Sequence, residues 1–303
     1  MTSHNIANVL KIFFWGIVVV IATMVMLSFS RGENPFDTID TDQGTLSVLH
    51  EQTINEDISS ISLGWYIGGV TVTASNDDKI HLVERAYANV AESKWANVSV
   101  NGGTLKITSR NKSVFNFFFW HTPSTYLELR LPAKEYTSFA LNLTSGENEV
   151  RDLSTLLFDV NSTSGTLTIK NLSTEKLELN MTSGQTTFTD AKTQEFDGVI
   201  TSGNLRYDGV VDQRLDLTMT SGVFNTELRE SAPQSIDFHM TSGVAHITLA
   251  TPADFMLTLS KTSGLFTANF NHTQNGNKYT YKNGRDDYRF GMTSGALTIK
   301  TQD

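Results

Sequence analysis

The chain has 303 residues, a formal net charge of −9 and no cysteine. This acidic balance, without a basic stripe interleaved with aromatic residues, argues against a nucleic-acid partner. The absence of cysteine excludes a disulfide framework and cysteine-ligated metal sites, and it fits a bacterial protein that folds outside the cytoplasm without oxidation.

The N-terminal part predicts a membrane anchor. Residues 12–29 form an apolar run of 18 residues without charge, which is about the minimum length for spanning a bilayer. A cleaved signal peptide is the alternative, but no Ala-x-Ala cleavage signal follows the run. Lys11 precedes the run, and several acids follow Arg31 beyond it. This bias predicts a cytoplasmic tail over residues 1–11 and an extracytoplasmic bulk, hence a single-pass protein of the cell membrane.

The next segments lead into a β-rich region. Residues 30–60 are polar and predict a linker that leads into the first strand. Residues 61–72 alternate between apolar and polar types on both sides of Gly68, which predicts a degenerate first coil. Residues 98–107 show the same pattern around two glycines and predict another coil. Residues 126–132 predict a strand that ends at a proline.

From residue 139 onward the chain repeats the tripeptide Thr-Ser-Gly eight times, and the glycines step by 19, 19, 19, 19, 21, 21 and 31 residues. A fixed period near 20 is typical of a stacked solenoid. Apolar residues alternate before and after each glycine, so each period predicts two short strands joined at a glycine corner. By parity, the serine would point inward and the threonine outward. The predicted structural-turn glycines are Gly146, Gly165, Gly184, Gly203, Gly222, Gly243, Gly264 and Gly295.

The predicted fold is therefore all-β. It is a single-stranded parallel β-helix, or solenoid, of about ten coils over residues 61–303, with the Thr-Ser-Gly repeats over residues 139–303. Each coil would pair with the next along the chain. An antiparallel meander is the alternative, but it would need a hairpin turn about every ten residues, and Asn-Gly or Asp-Gly pairs are too few for that.

Two segments interrupt the period. Residues 271–287 contain two Asn-Gly pairs and predict a hairpin that shields the end of the stack, where an open coil would leave an unpaired edge. Residues 111–124 are rich in aromatic residues and predict either a loop that binds a partner or a membrane, or a lid over the N-terminal coils. The candidate interaction residues are Phe115, Phe117, Phe118, Phe119 and Trp120.

One outward column of the predicted coils is acidic. This acidic stripe consists of Asp159, Glu178, Asp197, Asp216 and Asp237. It could bind cations or supply the general acid and base of a polysaccharide-cleaving β-helix; alternatively, it is a solvated face that keeps the protein soluble, with Lys176 and Arg214 offsetting part of its charge. No metal-ligand spacing, nucleophile motif or phosphate-binding loop occurs in the sequence, so we expect no cofactor and no catalytic residue.

Several of these features together resemble a known family. The repeated strands closing on Ser-Gly, the pair of strand segments around Gly68 and the strand of residues 126–132 are similar to the bacterial "putative adhesin" or toastrack domain of membrane-anchored, LiaG-like proteins. The resemblance covers residues 45–303. It implies a β-solenoid on the outer side of the membrane, often encoded with cell-envelope stress systems, and it brings no catalytic residues. The interruptions at residues 111–124 and 271–287 depart from the family pattern.

The sequence thus predicts a non-enzymatic, membrane-anchored β-helix that binds or scaffolds a protein partner at the cell envelope, and the resemblance implies a context of envelope-stress signalling. One alternative is an adhesin that binds glycan or protein without turnover. Another is a carbohydrate-active enzyme that uses the acidic stripe. The pattern makes no prediction about oligomeric state.

Overall fold

The computed structural model describes residues 45–87, 90–110 and 124–302, and the described residues from Leu46 onward form one compact all-β unit. A single turn of 3-10 helix, Glu92–Lys94, is the one helical element in these ranges. It is the only helix there and is far too short to cross a membrane. The tail and anchor predicted over residues 1–29 lie outside the described residues.

The described strands form a single hydrogen-bonded sheet of 21 strands that winds around the core. In chain order they are β1 (Ser47–Ile54), β2 (Ser60–Trp65), β3 (Gly68–Ala74), β4 (Ile80–Ala86), β5 (Asn97–Asn101), β6 (Thr104–Thr108), β7 (Thr125–Leu131), β8 (Glu135–Leu143), β9 (Glu147–Ser162), β10 (Thr166–Met181), β11 (Gln185–Ile200), β12 (Asn204–Met219), β13 (Val223–Leu228), β14 (Ser235–Met240), β15 (Val244–Leu249), β16 (Phe255–Lys261), β17 (Leu265–Asn269), β18 (Thr273–Asn275), β19 (Lys278–Tyr281), β20 (Asp286–Met292) and β21 (Ala296–Thr301).

The regular part of the fold consists of β9 to β12, each 16 residues long. Each strand begins directly after one Thr-Ser-Gly corner and ends three residues before the next glycine. Neighbouring strands pair in parallel at the repeat distance, so that Thr166 lies beside Gln185 and Met181 beside Ile200. This ladder is consistent with a β-solenoid, and it rules out an antiparallel meander for these coils.

The structure places all eight Thr-Ser-Gly glycines, together with Gly68, at corners where φ is positive. At Gly165 φ is 90°, and an added Cβ would lie 2.4 Å from the carbonyl oxygen of Gly146. A Cβ at Gly184 would lie 2.3 Å from the carbonyl oxygen of Gly165. Stacking therefore brings corner backbones closer than any residue with a side chain allows. Nine such corners stack in the described part of the chain, close to the number of coils expected.

The corner serines tie one coil to the next. The Ser164 hydroxyl donates to the Thr144 carbonyl at 2.7 Å, and the Ser183 hydroxyl donates to the Thr163 carbonyl at 3.0 Å. These serines are half-buried or exposed, so the inward direction predicted from parity is wrong. The alternation stops because the strand ends before the tripeptide begins. The threonines are exposed, as predicted.

Three of the four regular coils have a second corner that the repeat analysis missed. It lies six residues after the glycine, where Asp152, Asn171 and Asp190 take left-handed φ values of 55°, 54° and 53°. Asp and Asn tolerate this conformation better than other residues with a side chain. The Asn171 amide donates to the Asp152 carboxylate at 2.6 Å, which links successive corners. We call this the Asx corner.

The two corners divide the sheet into two faces. The first face follows the glycine corner, and the second face follows the Asx corner. On the first face the strands lie in the order β1, β4, β7, β3, β9, β10, β11, β12, β13, β15, β21, β17. On the second face the order is β5, β6, β2, β8, β9, β10, β11, β12, β14, β20, β16, β19, β18.

This order corrects the expectation that every coil pairs with the next along the chain. The last coil, formed by β20 and β21, lies between the coil of β14 and β15 and the coil of β16 and β17. At its corner, the Ala296 amide donates to the Gly243 carbonyl, and the Leu265 amide donates to the Gly295 carbonyl, both at 2.9 Å. The chain thus passes over one coil position and returns to fill it.

The N-terminal end mixes one correct prediction with one error. β2 and β3 meet at Gly68 and form the first coil, as predicted. The pattern over residues 98–107 is instead an antiparallel hairpin of β5 and β6, with Gly102 and Gly103 in its turn, and not a coil. β1 lies within residues 30–60, where the sequence predicts a linker and the first strand, and it pairs antiparallel with β4.

At the C-terminal end, β18 and β19 form the hairpin expected over residues 271–287. β19 pairs antiparallel with β16 and so extends the second face beyond the coil of β16 and β17. Tyr279 packs edge-on against Phe266, with ring centroids 5.1 Å apart, and Tyr281 lies 5.3 Å from Phe255. The hairpin therefore covers the end of the apolar core.

The core is one continuous cluster of inward side chains from both faces. Phenylalanines and a tyrosine stack along it, as in the pairs Phe139–Phe158, at 5.8 Å, and Phe196–Tyr207, at 5.2 Å. The Tyr207 hydroxyl donates to the Val210 carbonyl at 2.8 Å, which satisfies its buried polar group. Burial on this scale, with parallel pairing on both faces, makes the coils a rigid support for their outward side chains.

Candidate functional site

The acidic stripe lies on the second face, and its five carboxylates are in register. Asp159 pairs with Glu178 and Glu178 with Asp197, and the column continues through Asp216 to Asp237. Successive members are separated by one strand spacing, about 4.8 Å. The stripe is bounded by Ala140 before Asp159 and by Arg289 beyond Asp237.

Cations from the neighbouring column pair with the stripe. The Lys176 ammonium lies 2.5 Å from Glu178 and 3.4 Å from Asp197. The Arg214 guanidinium lies 2.7 Å from Asp197 and 3.3 Å from Asp216, and it also contacts Glu195 at 2.9 Å. The stripe is therefore a partly neutralised network, in which two cations engage the central carboxylates, and not a row of bare carboxylates.

The ends of the stripe have further polar partners. The Asn161 amide donates to the Asp159 carboxylate at 3.1 Å, and the Asn180 amide donates to the Asn161 side-chain oxygen at the same distance. At the other end, His239 Nε2 lies 2.9 Å from the Asp237 carboxylate. The side-chain amides of Asn161 and Asn180 and the acidic stripe thus form one continuous polar surface along the second face.

Two carboxyl groups of the stripe have perturbed acidities. Partial burial, with a smaller contribution from the Glu178 charge, raises the pKa of Asp159 above its ordinary value of 3.8. Burial followed by the Asp237 charge raises the pKa of Asp216 from the same value. A hydrogen bond to Glu178 raises the pKa of Lys176, and a hydrogen bond to Glu195 raises the pKa of Arg214. Both side chains therefore remain charged at neutral pH.

This arrangement supports binding better than reaction chemistry. Within the described ranges, no group of three or more His, Asp or Glu side chains is arranged to hold a metal ion. A general acid or base must point at the substrate, and its own pKa must lie near the working pH. Here the central carboxylates point at Lys176 and Arg214. The outward groups form a regular array of donors and acceptors.

The other predicted site residues fall elsewhere. The five aromatic side chains proposed for interaction, from Phe115 to Trp120, lie outside the described residues. The eight glycines are corner residues and offer no side chain. Two features escaped the sequence reasoning: the Asx corner, which a search for Asp or Asn six residues after each glycine would have found, and a groove on the first face lined by side chains of different coils.

A comparison of the sequence with family models identifies the family of the chain. The model described as Toastrack DUF4097 matches residues 58–300. The chain belongs to the toastrack family. The match runs from just before β2 into β21, so it includes the first coil, the N-terminal hairpin and every Thr-Ser-Gly coil.

Several solved structures are similar in fold to this toastrack chain. A "putative lipid binding protein" from Parabacteroides distasonis is 15% identical, with a TM-score of 0.48 over 84% of this chain and 96% of its own. A "putative adhesin" from Bacteroides fragilis is 14% identical, with a TM-score of 0.37 over 83% and 96%. A "putative cell adhesion protein" from Clostridium sporogenes is 11% identical, with a TM-score of 0.32 over 84% and 100%. No curated protein matches the chain.

The toastrack assignment agrees with the resemblance found from the sequence. The strand that ends in Leu131 and Pro132 is β7, which lies beside β3 of the first coil. Of the two departures from the family pattern, residues 271–287 contain the capping hairpin of β18 and β19. Nearly all of residues 111–124 lies outside the described residues.

Proposed function

We propose that this toastrack chain is a non-enzymatic binding or scaffold domain that is held at the outer side of the cell membrane. The observation that carries the proposal is the in-register polar surface on a rigid stack of coils, with its central carboxylates paired to Lys176 and Arg214. Its strongest candidate for chemistry, Asp197, is engaged by Lys176 and Arg214. Regular polar columns at fixed spacing suit recognition of an extended partner surface.

The location rests on the sequence of the N-terminal part. The apolar run of residues 12–29 is long enough to anchor the chain, and the charges on its two sides favour an extracytoplasmic bulk. The similarity to LiaG-like proteins supports a protein partner at the cell envelope, in a stress-signalling assembly.

Anchoring and orientation can be tested in intact bacterial cells that express the full chain. We expect the wild type in the membrane fraction, with the coils cleaved by protease added to spheroplasts. A variant that lacks residues 1–29 should stay in the cytosol and resist the protease until lysis. A wild-type chain that is soluble, or protected in spheroplasts, would refute the proposed location.

The enzyme alternative makes a distinct prediction. If the stripe supplied an acid and a base, purified chain would cleave a cell-wall or capsular glycan, and Asp197→Asn would abolish the cleavage. We expect no turnover by either protein. Product formed by the wild type and absent with Asp197→Asn would replace the binding proposal with the enzyme.

A second candidate function, an adhesin that binds glycan without turnover, is favoured by one specific observation. The groove on the first face is polar, and it gathers side chains from several coils. The charges and hydrogen-bonding groups that line the groove restrict the chemical classes of ligand that it can bind.

A further inference from the structure

A groove of about 430 Å³ crosses the first face near the C-terminal end of the stack. This volume lies within the range of small-molecule binding pockets. Outward side chains of two neighbouring columns line it, on β12, β13, β15, β21 and β17. One column contributes Arg206, Asn225, His246 and Thr298, and the other contributes Asp208, Glu227, Thr248, Lys300 and Asn269.

The strand order of the C-terminal coils creates this groove. Lys300 lies beside Thr248 on one side and beside Asn269 on the other, because the last coil is inserted between two earlier ones. If the coils followed the chain order, Thr248 would neighbour Asn269 directly. The short side chain of Thr248 therefore lies between the longer side chains of Glu227 and Lys300 and forms the floor there, and Asn269 lies beyond Lys300.

The charges in the groove are of two kinds. Arg206 pairs with Asp208, with nitrogen and oxygen 2.7 Å apart, and it shields that carboxylate to 8% side-chain exposure. Glu227 and Lys300 form no ion pair within the described part of the chain, and both are exposed. They are two strand spacings apart, about 10 Å. Two cations thus offset two carboxylates, so the groove favours neither anions nor cations.

We propose that this groove binds an uncharged oligosaccharide, a short segment of a cell-surface glycan. Sugar hydroxyls both donate and accept hydrogen bonds, and the groove offers both functions at close spacing. The Glu227 carboxylate accepts, the Lys300 ammonium donates, and the Asn225 amide and the Thr248 hydroxyl do both. Unpaired ionic groups make stronger hydrogen bonds than neutral ones, so Glu227 and Lys300 should carry most of the affinity.

The same features argue against other ligands. A phosphate or a polyanion would gain from Lys300 but would meet the carboxylates of Glu227 and Asp208. A polyamine would meet Lys300 and Arg206. An apolar ligand would bury the two free charges without partners, which costs more than it gains. The hydroxyls of an uncharged polyol donate hydrogen bonds to Glu227 and accept them from Lys300 in the same complex.

The inference rests on the proposed binding role, and its test is separate from the test of location. Full-length chain in nanodiscs would be titrated calorimetrically with tri-N-acetylchitotriose, cellotriose and maltotriose, and with trigalacturonate and inorganic phosphate as charged probes. At least one uncharged trisaccharide should bind with a Kd of about 0.1–1 mM, as expected for a shallow polar groove.

Four single variants sharpen the test. Glu227→Gln and Lys300→Ala should each weaken binding by about fivefold or more, the loss expected for one charged hydrogen bond. Thr168 and Thr187 lie in the outward column of Arg206 and Asn225 but outside the groove, so Thr168→Ala and Thr187→Ala should bind as the wild type does. All four side chains are at least partly exposed, so we expect melting temperatures within about 2 °C of wild type.

Three results would overturn the proposal. The first is no binding of any uncharged trisaccharide at about 10 mM. The second is equal binding by the wild type and the Glu227→Gln and Lys300→Ala variants. The third is tighter binding of trigalacturonate or phosphate than of every uncharged probe. None of these would affect membrane fractionation or protease access, so failure of the groove is distinguishable from failure of the proposed location.

Discussion

Glycine at the coil corners is required by the stacking itself. At Gly184 φ is 94°, and a Cβ would lie 2.3 Å from the Gly165 carbonyl oxygen. We predict that Gly184→Ala lowers the free energy of unfolding by at least about 3 kcal/mol, because strain and a backbone clash combine. Urea denaturation followed by circular dichroism measures this loss.

Gly102→Ala is the matched control. Gly102 also has a positive φ, of 55°, but nothing lies within 4 Å of an added Cβ there. This substitution should cost only about 1 kcal/mol, the conformational penalty alone. Equal losses for the two variants would show that corner stacking does not require glycine.

The raised pKa of Asp159 gives stability a defined pH dependence. Because its folded-state pKa is above the ordinary 3.8, the charged carboxylate destabilises the fold above the folded-state pKa. This penalty disappears as the pH falls below the unfolded-state value. We predict that Asp159→Asn is at least as stable as the wild type at pH 7. As the pH falls from 6 to 3, the free energy of unfolding of the wild type should rise relative to that of the variant. Chemical denaturation across this range would decide, and a variant less stable at pH 7 would contradict the sign.

The corner residues show how far sequence reasoning reached at this scale. The glycines were identified because their spacing repeats and only glycine fits the geometry. The Asx corner was missed because Asp and Asn are common in exposed positions, and Gly209 follows Asp208 where the pattern would continue. The inward direction of the serines failed because alternation holds only within a strand.

At the scale of whole strands, the inserted coil is the feature that the sequence did not reveal. Val244 lies beside Ala296, and Leu265 lies on the far side of Ala296. We predict that Val244→Cys combined with Ala296→Cys forms a disulfide under mild oxidation, since paired strands bring Cα atoms within bridging distance. The chain has no cysteine of its own, so the product can be read from a non-reducing gel and mass spectrometry.

The control pair is Val244→Cys with Leu265→Cys. These positions are two strand spacings apart, about 10 Å, which exceeds the reach of a disulfide. They would be neighbours if the coils followed the chain order. Efficient cross-linking of this pair, without cross-linking of the first, would contradict the inserted coil.

The acidic stripe is also a property of several strands together. We predict that the triple change Glu178→Gln, Asp197→Asn and Asp216→Asn lowers the free energy of unfolding by less than about 2 kcal/mol, because exposed ion pairs contribute little. Lys176 and Arg214 are 39% and 37% exposed, so water can solvate them once their partners are gone. Thermal and urea unfolding measure the change. A much larger loss would make the stripe a structural element and not a solvated surface.

The hairpins mark where strand patterns are ambiguous. Residues 97–108 alternate and contain a glycine pair, which fits a coil corner and a hairpin turn equally well. The local pattern does not say whether the second strand pairs with the first or with a distant neighbour. The C-terminal hairpin was identified because two Asn-Gly pairs and a longer interval stood out from the repeat.

At the scale of the molecule, the all-β class and the parallel stacking followed from the repeat, whereas the surfaces did not. Pairing of Lys176 and Arg214 with the stripe was expected because they lie two residues from its acids. The groove was not, because Glu227 and Lys300 are far apart in the chain and line one groove only because of the inserted coil.

The aromatic segment of residues 111–124 also concerns the whole molecule, because two roles are predicted for it: an interaction loop or a lid over the N-terminal coils. If residues 111–124 form an interaction loop, their deletion should remove a membrane-protein partner from cross-linked complexes and leave the stability of the chain unchanged. If they form a lid, the partners should stay the same and the melting temperature should fall. Parallel pull-down and thermal unfolding of the deletion variant separate the two.

The central claim, a non-enzymatic binding domain at the cell envelope, is tested most directly by photo-cross-linking in intact cells. A photoreactive residue would be placed at two outward positions of the anchored full chain, the exposed Asn180 on the second face and the partly exposed Thr187 on the first face. We predict discrete cross-links to an envelope protein or glycan from at least one face, which an unrelated anchored domain does not give. No cross-link from either face, together with glycan cleavage that Asp197→Asn abolishes, would contradict the claim.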